Sequence, residues 1–372
     1  MSFKDKLTKT GPRKLLALDG GGIRGMISIE ILAKIEGQLR TQFNQGPSFV
    51  LADYFDYIAG TSTGAIIATC LSLGMSASQV RQFYEANGTE MFDKARLWEL
   101  YRFKFRDDKL AAKLRQVLGP DTPLGTEKLR TLLMMVLRNA TTDSPWPVSN
   151  NPAGKYNRLD HSGCNLKLPL WQLVRASTAA PTFFPPETVQ IAPHEFVFVD
   201  GGVTMYNNPA FQLFLMATVE PYNLRWPTGA DKMLLVSLGT GTSAAANAGL
   251  RGEELNLLYN ASSIPAALMT SALHEQDFLC RVFGECLAGD KLDSEIGDMI
   301  GKAGPVSSKL FRYVRYNADL SLAGLTSLGL PRIQPRDVQK LDSVDHIREL
   351  QEVGQAVAEA KVRSEHFIGF AP

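Results

Sequence analysis

The amino-acid sequence predicts an α/β protein built on a mostly parallel central sheet that helices cover on both faces. Short apolar runs that end at Asp or Gly recur along the chain, which is typical of strands buried inside a parallel sheet. They occupy residues 14–18, 54–59, 196–199 and 233–238. Segments with helical spacing lie between these runs, and strands that alternate with helices indicate a parallel sheet.

Three segments carry the pattern expected of helices that pack on such a sheet. After Gly25, apolar residues repeat every four positions and predict the first helix. Its buried face is predicted to carry Ile27, Ile31, Ile35 and Leu39. Residues 65–73 predict a second helix of mainly small side chains, and apolar residues at helical spacing predict an amphipathic helix over 343–367.

The composition fits an ordinary globular protein and excludes several classes of function. The chain has 372 residues, of which 45% are hydrophobic and 21% charged, so it is neither disordered nor of low complexity. Its net charge of +1 provides no field that would favour a nucleic acid polymer as partner. The cysteines are scattered without a Cys-x-x-Cys pair, so we expect reduced thiols and no metal cluster.

We expect a soluble, cytoplasmic protein whose contact with any membrane is peripheral. The N-terminal residues carry charges without the apolar stretch of a signal peptide. The longest apolar runs, such as residues 65–70, are far shorter than the ~18–20 residues of a membrane span. Residues 92–106 interleave aromatic and basic side chains, which suits a membrane surface. A core-facing helix with solvated cations explains the same pattern and is the favoured interpretation, because charge runs usually mark solvated faces.

Two polar segments divide the chain. Residues 141–165 are rich in Ser, Asn, Pro and Gly and predict a long surface loop. Residues 243–249 are rich in Ala, Asn and Gly, and they mark the expected end of the main sheet. The predicted organisation is therefore a main domain over residues 13–242 and a helical C-terminal region over residues 243–372.

A candidate nucleophile lies in a Gly-x-Ser-x-Gly pentapeptide. Its residues are Gly60, Thr61, Ser62, Thr63 and Gly64. The pentapeptide lies between a predicted strand and a predicted helix, which is where a nucleophile elbow occurs. Glycines allow a sharp turn, and the helix N-terminus directs N–H groups and its positive dipole at the serine. A Gly/Ser turn without any chemistry has the same composition, so the pentapeptide alone leaves both readings open.

A serine nucleophile needs a base, and Asp200 is a stronger candidate than any of the five histidines. His194, the one histidine near a strand end, is expected at a hairpin-like surface position. Asp200 ends the run 196–199 and precedes Gly201 and Gly202, at the sheet edge where sites form. A Ser/Asp dyad is feasible if burial raises the basicity of the carboxylate. An Asp before two glycines also makes simple turns.

A glycine-rich loop follows Asp19 at the end of the first predicted strand. It comprises Gly20, Gly21, Gly22, Ile23, Arg24 and Gly25. Its Gly-x-Gly-x-x-Gly spacing occurs in dinucleotide-binding turns, but the acidic residue expected about 20 positions later is not well placed. Consecutive amide N–H groups at a helix N-terminus also form an oxyanion pocket, to which Arg24 would add positive charge. A nucleotide- or phosphate-binding protein without hydrolase activity therefore stays the alternative.

In this order, three segments resemble the motifs of the patatin-like phospholipase family. They are the glycine-rich loop at 19–25, the elbow at 60–64 and the Asp-Gly-Gly motif at 200–202. Residues 176–185 and the Asn-Asn-Pro sequence at 207–209 are similar to further segments of the family. The resemblance covers about residues 13–242, and the ordered set is more specific than any single motif.

The resemblance implies a three-layer α/β/α sandwich with a helical C-terminal extension. It implies that Ser62 is the nucleophile, that Asp200 is the base, and that the loop 20–25 forms the oxyanion hole. The implied reaction is hydrolysis of acyl esters of phospholipids or related lipids, without a metal or an organic cofactor.

Bacterial proteins of this family and length are also similar to effectors that cyclic dinucleotides switch on in anti-phage defence. That resemblance implies a cyclic dinucleotide as activator and action at the inner face of the membrane. The sequence itself shows no nucleotide pocket outside the glycine-rich loop and indicates no oligomeric state.

Overall fold

The computed structural model describes residues 2–92, 109–181, 183–242 and 257–372, with the backbone alone over 257–266. Most of the aromatic and basic segment at 92–106, and the expected domain boundary at 243–249, lie outside these ranges. Phe92 is described, and it is buried in the core.

Nine strands of the described ranges form one sheet. They are β1 (Arg13–Leu18), β2 (Tyr57–Thr61), β3 (Leu132–Asn139), β4 (Ser144–Ser149), β5 (Glu187–Ile191), β6 (His194–Asp200), β7 (Met233–Leu238), β8 (Glu285–Ala288) and β9 (Arg312–Tyr316). The order is β5-β6-β3-β2-β1-β7-β9-β8, with β4 also paired to β3. Neighbours from β3 to β8 run parallel, whereas β4 and β6 run antiparallel to β3 and β5 antiparallel to β6.

Twelve α-helices are described alongside the sheet. They are α1 (Phe3–Thr8), α2 (Gly25–Gln42), α3 (Leu51–Tyr54), α4 (Thr63–Ser72), α5 (Ala77–Phe92), α6 (Lys109–Leu118), α7 (Leu170–Ser177), α8 (Ala210–Thr218), α9 (Leu257–Phe283), α10 (Leu322–Ser327), α11 (Pro335–Val338) and α12 (Ile347–Lys361). Helices α2, α4, α5, α7 and α12 pack into one connected group, and α8 packs against α9. Both groups contact the sheet, and every residue of β1 and β7 is buried, as expected when helices cover both faces.

The sequence-based predictions of fold class and of the main elements are confirmed. Strands β1, β2, β6 and β7 lie where apolar runs predict them, although β2 begins at Tyr57 because α3 occupies the preceding residues. The predicted inner face of α2 is buried at all four positions. The amphipathic C-terminal helix is α12, which is shorter than the predicted span 343–367.

Three features differ from the sequence-based expectations. The predicted loop at 141–165 contains β4, whose Pro145 and Pro147 lack ladder donors and are tolerated because β4 is an edge strand. Strand β6 is antiparallel to β3. The sequence does not predict this direction, because an apolar run carries no information about strand direction. The C-terminal region has the predicted helices, but it also adds β8 and β9 to the central sheet.

The pairing of β3 brings the candidate site together. Strands β2 and β6 both pair with the edge of β3 that lies opposite β4. Thr61 at the end of β2 pairs with Val136, and Asp200 at the end of β6 pairs with Leu137, the next residue of β3. Strands β2 and β6 run towards each other along this edge of β3, so their C-terminal ends meet beside Val136 and Leu137.

Candidate active site

Ser62 and Asp200 form a direct hydrogen bond at the point where β2 and β6 end. The Ser62 hydroxyl donates to Oδ2 of Asp200 over 2.6 Å. Ser62 is partly exposed, whereas Asp200 is only 4% exposed. This geometry places a hydroxyl beside an acceptor that can take its proton, which is the arrangement that nucleophilic catalysis requires.

The backbone of Ser62 adopts a conformation that L-residues rarely adopt. Its φ is 54° and its ψ is −124°, and α4 begins at the next residue, Thr63. A Cβ on Gly60 would overlap the carbonyl of Gly64, and a Cβ on Gly64 would overlap the carbonyl of Leu18. The two glycines therefore allow strand, turn and helix to approach closely, and the strain at Ser62 exposes its hydroxyl.

Ser177 holds the elbow from the side of β3. The Ser62 amide donates to the Ser177 hydroxyl over 3.0 Å, and that hydroxyl donates to the Val136 carbonyl over 2.7 Å. Ser177 is fully buried at the end of α7. The hydroxyl thus bridges the two strands where direct pairing between β2 and β3 stops. Sequence reasoning identified the segment 176–185 as a family signature but gave Ser177 no role.

Burial makes Asp200 more basic than an ordinary aspartate. Loss of solvation raises the pKa of Asp200 from 3.8 to about 6. Hydrogen bonds from Ser62 and from the Gly202 amide, which donates to Oδ1 over 2.6 Å, offset part of that increase in pKa, as does the positive charge of Arg175. A carboxylate of this kind is ionised at neutral pH and can accept a proton from a serine.

The glycine-rich loop packs against the elbow, and most of its amides already have acceptors. A Cβ on Gly20 would lie 3.2 Å from Cβ of Ser62. Four of the six loop amides donate to backbone carbonyls. The amide of Gly20 donates to Asn207, that of Ile23 to Leu341, that of Arg24 to Gly21, and that of Gly25 to Gly22 and Ile23. Within the described ranges, the amides of Gly21 and Gly22 donate to no acceptor. Of the six loop amides that the sequence suggests as oxyanion donors, only those of Gly21 and Gly22 are therefore unpaired in the described structure.

The side chain of Arg24 binds the C-terminal region. Its guanidinium donates to the Gln339 carbonyl over 3.0 Å, and burial lowers the pKa of Arg24 to about 10. The guanidinium is still charged at neutral pH, but its Nη1 donates to the C-terminal region and not to the glycine-rich loop. The sequence predicts that this charge serves the oxyanion pocket, whereas the hydrogen bond of the guanidinium is made to the C-terminal region.

The remaining motif residues connect the loops around Ser62. Thr61 donates from its hydroxyl to the Tyr206 carbonyl over 2.7 Å, which connects the end of β2 to the segment that follows Asp200. The hydroxyl of Thr63 hydrogen-bonds to that of Tyr84. Gly201 approaches the Val136 carbonyl so closely that a Cβ would overlap it. The contacts of Thr61 and Gly201 join the loops that follow β2 and β6 to neighbouring segments, and the contact of Thr63 joins α4 to α5.

None of the five histidines hydrogen-bonds to Ser62 or Asp200. His194 is exposed at the start of β6, in the hairpin that the sequence predicts. His366 is buried and bonds the hydroxyl of Tyr316, and His346 lies between Asp337 and Glu349. All four cysteines are free and buried. Across residues 2–92, 109–181, 183–242 and 257–372, no group of three His, Cys, Asp or Glu side chains could hold a metal ion.

No helix within the described part of the chain is long and apolar enough to cross a membrane.

Comparison with known proteins places these motifs in a family. The sequence model of the family described as "Patatin-like phospholipase" matches residues 16–214, which is more than half of the chain. Patatin-like protein 1 of Oryza sativa subsp. indica is 33% identical over 258 residues, covering 62% of this chain and 59% of the relative. Patatin-17 of Solanum cardiophyllum is 30% identical over 253 residues, covering 62% of this chain and 61% of the relative.

The chain spans about three fifths of the length of these curated relatives. Among solved structures, VipD from Legionella pneumophila aligns with a TM-score of 0.40 and 14% identity, covering 92% of this chain and 67% of that one. A likeness this low carries no argument about function. The family match and the geometry at Ser62 concern the same residues, and the chain belongs to the patatin-like phospholipase family.

Proposed function

We propose that the protein is a serine lipid acyl hydrolase of the phospholipase A type, which uses Ser62 and Asp200 as a catalytic dyad. The observation that carries the proposal is the 2.6 Å hydrogen bond from the Ser62 hydroxyl to a buried carboxylate of raised pKa. Family membership supports the reaction class, because the matched family is described by phospholipase activity.

In the proposed acylation step, Asp200 takes the proton of Ser62 while Oγ attacks the acyl carbonyl carbon of the lipid. The tetrahedral intermediate carries an oxyanion, and we assign its stabilisation to the amides of Gly21 and Gly22, which donate to no acceptor within the described ranges, and to the N-terminus of α4. The carbon–oxygen bond to the glycerol then breaks, and the proton passes from Asp200 to the leaving alkoxide. The products of this step are a lysophospholipid and an acyl ester on Ser62.

In the proposed deacylation step, Asp200 takes a proton from a water molecule, whose oxygen attacks the acyl-enzyme carbonyl. A second tetrahedral intermediate forms, and its collapse breaks the bond to Oγ of Ser62. The proton on Asp200 returns to Oγ, and a fatty acid leaves. Both steps use one base, which needs a pKa below the working pH but higher than that of an ordinary aspartate.

An apolar surface beside the base supports peripheral contact with a phospholipid membrane. Val203 is 38% exposed and Met205 46%, and both follow directly after the base motif. Leu268 on α9 is 65% exposed, and its neighbour Met269 lies 3.7 Å from the position of a Cβ on Gly202. Exposed apolar side chains around a site of this kind fit the boundary between head groups and acyl chains.

Activation by a cyclic dinucleotide is a further part of the proposal and rests on the resemblance to bacterial defence effectors alone. Comparing lipid hydrolysis with and without a panel of cyclic dinucleotides tests it. Equal rates across the panel would reject that part and leave the dyad untouched.

Reaction with a fluorophosphonate probe tests the dyad, because the probe reacts with activated serines. We expect one adduct per chain by intact mass, mapped to Ser62 by peptide sequencing, and none in heat-unfolded protein. With phospholipid vesicles we expect a fatty acid and a lysophospholipid as products. An unlabelled Ser62 together with binding of a nucleotide at the glycine-rich loop would instead support the alternative of a binding protein.

Ser177→Ala is expected to slow fluorophosphonate labelling of Ser62 about tenfold, since it removes both buried hydrogen bonds of the Ser177 hydroxyl, which costs about 1–2 kcal/mol and releases the strained elbow. Second-order labelling rates of folded variants measure the effect. Ser149→Ala is the matched control, because Ser149 is also buried and hydrogen-bonded, but to Tyr57. Equal rates for the two variants would show that the Ser177 hydroxyl does not position the nucleophile.

A further inference from the structure

The C-terminal region contacts the glycine-rich loop at three places. Arg315 of β9 pairs with Asp19, the Leu341 carbonyl accepts the amide of Ile23, and the Gln339 carbonyl accepts the guanidinium of Arg24. All three partners lie outside the segment 16–214 that matches the family. The loop is thus held by a part of the chain in which sequence reasoning found no functional motif.

The pair of Arg315 and Asp19 is buried and bidentate. The guanidinium donates to Oδ1 over 2.9 Å and to Oδ2 over 2.5 Å, and both side chains are at most 2% exposed. Arg315 reaches Asp19 across β7, where it also donates to the hydroxyl of Ser237 over 2.7 Å. Such a pair has rigid geometry, and removing one partner leaves an uncompensated buried charge.

The contact of Leu341 fixes the loop directly beyond this pair. Gly22 has a φ of +59°, and a Cβ there would overlap the Leu341 carbonyl oxygen. The same carbonyl accepts the amide of Ile23 over 3.0 Å. Leu341 therefore packs against Gly22 at close range and holds the Ile23 amide by a hydrogen bond.

We propose that the C-terminal region positions the oxyanion-hole loop, with Arg315 acting through Asp19 at one end and residues 339–341 at the other. The inference rests on the proposed function of Ser62. The Gly21 and Gly22 amides lie between these two attachment points and are the amides of the loop that stay unpaired in the described structure. The C-terminal region holds them in place, so a change in how it packs alters the activity of Ser62.

A double substitution that removes the pair without leaving a buried charge tests the proposal. The variant is Asp19→Asn with Arg315→Met, and Arg315→Lys is a milder variant that keeps the charge. The matched control is Asp56→Asn with Lys6→Met. Lys6 and Asp56 form a second fully buried ion pair, 3.5 Å apart, and Asp56 accepts the Lys14 amide near the start of β1, the end of that strand opposite the glycine-rich loop.

Two measurements separate positioning from general stability. Amide hydrogen exchange of peptides that span residues 19–25 measures how well the loop is ordered. We expect exchange at least tenfold faster in the Asp19/Arg315 variant than in the control variant, compared at equal distance below their melting temperatures. Hydrolysis of a soluble ester reports the site, and we expect kcat to fall about tenfold with KM unchanged. Arg315→Lys, which keeps the charge, should show smaller changes in both the exchange rate and kcat.

Unchanged exchange in the loop, or equal changes in the control variant, would overturn the inference. Faster exchange with unchanged kcat would show that the C-terminal region orders the loop without serving catalysis, which also overturns it. If the wild-type protein hydrolyses no ester and Ser62 reacts with no probe, the proposed function fails. In that case the exchange measurement still decides whether the C-terminal region holds the loop.

Discussion

Replacing Asp200 with asparagine is expected to lower kcat/KM for a soluble ester by roughly 10³–10⁴-fold, a magnitude typical of removing a base that acts on a serine. Asparagine keeps a carbonyl oxygen that can accept the Gly202 amide, but it cannot take the proton of Ser62. Steady-state kinetics normalised to the concentration of folded protein measure the loss, because a variant without the base should react poorly with a fluorophosphonate. An activity within tenfold of wild type would contradict the role of Asp200 as base.

The same substitution is expected to stabilise the fold, which separates loss of chemistry from loss of structure. Burial raises the pKa of Asp200 from 3.8 to about 6, so ionising this carboxyl costs the folded state about 3 kcal/mol above pH 6. Because the folded-state pKa is raised, this cost appears as the pH rises through 4–6 and is absent at lower pH. The asparagine variant lacks it, and its melting temperature at pH 8 should exceed that of wild type.

A histidine-dependent esterase is the competing explanation of any hydrolysis, and His194→Ala is the control that addresses it. His194 is exposed at the start of β6 and makes no hydrogen bond to Ser62 or Asp200. We expect kcat/KM to change less than about twofold, as for other exposed residues away from a site. A loss comparable to that of Asp200→Asn would favour the esterase with a histidine base.

The proposed nucleophile and base are predictable from sequence because short-range patterns single them out. A serine between closely spaced glycines, placed between a strand and a helix, has few structural alternatives to an elbow. That Asp200 ends a strand is also predictable, because the apolar run 196–199 stops there and two glycines follow. The direction of β6 is not encoded in the apolar run, although Asp200 meets Ser62 because β6 is antiparallel to β3.

The supports of the site are not predictable in this way because they join distant parts of the chain. Arg315 and Asp19 are 296 positions apart, and Ser177 is 115 positions from Ser62. Strand β9 escapes detection because Arg312 and Arg315 interrupt its apolar character, and a buried arginine is intelligible only once its partner is known. Role assignments for such residues need the tertiary contacts.

The pH dependence of kcat/KM is expected to follow the titration of Asp200. The carboxylate must be ionised to accept a proton, and its pKa is about 6, so activity should be nearly constant above pH 7. Below the pKa, activity should fall about tenfold per pH unit, which gives about a 100-fold loss at pH 4. Hydrolysis of a soluble ester from pH 4 to pH 8 measures this, with circular dichroism to confirm that the protein stays folded.

The temperature dependence of the acid limb identifies the titrating group. Carboxyl ionisation has almost no enthalpy, so the midpoint of the acid limb should stay fixed between about 10 and about 35 °C if Asp200 is the base. Imidazole ionisation has a substantial enthalpy, so a histidine base would give a midpoint that moves to lower pH on warming. A midpoint that moves in this way, or one at the ordinary pKa of an exposed aspartate, would contradict the assignment. A fixed midpoint near pH 6 indicates a desolvated carboxylate, and within the described part of the chain Asp200 is the buried carboxylate that hydrogen-bonds to Ser62.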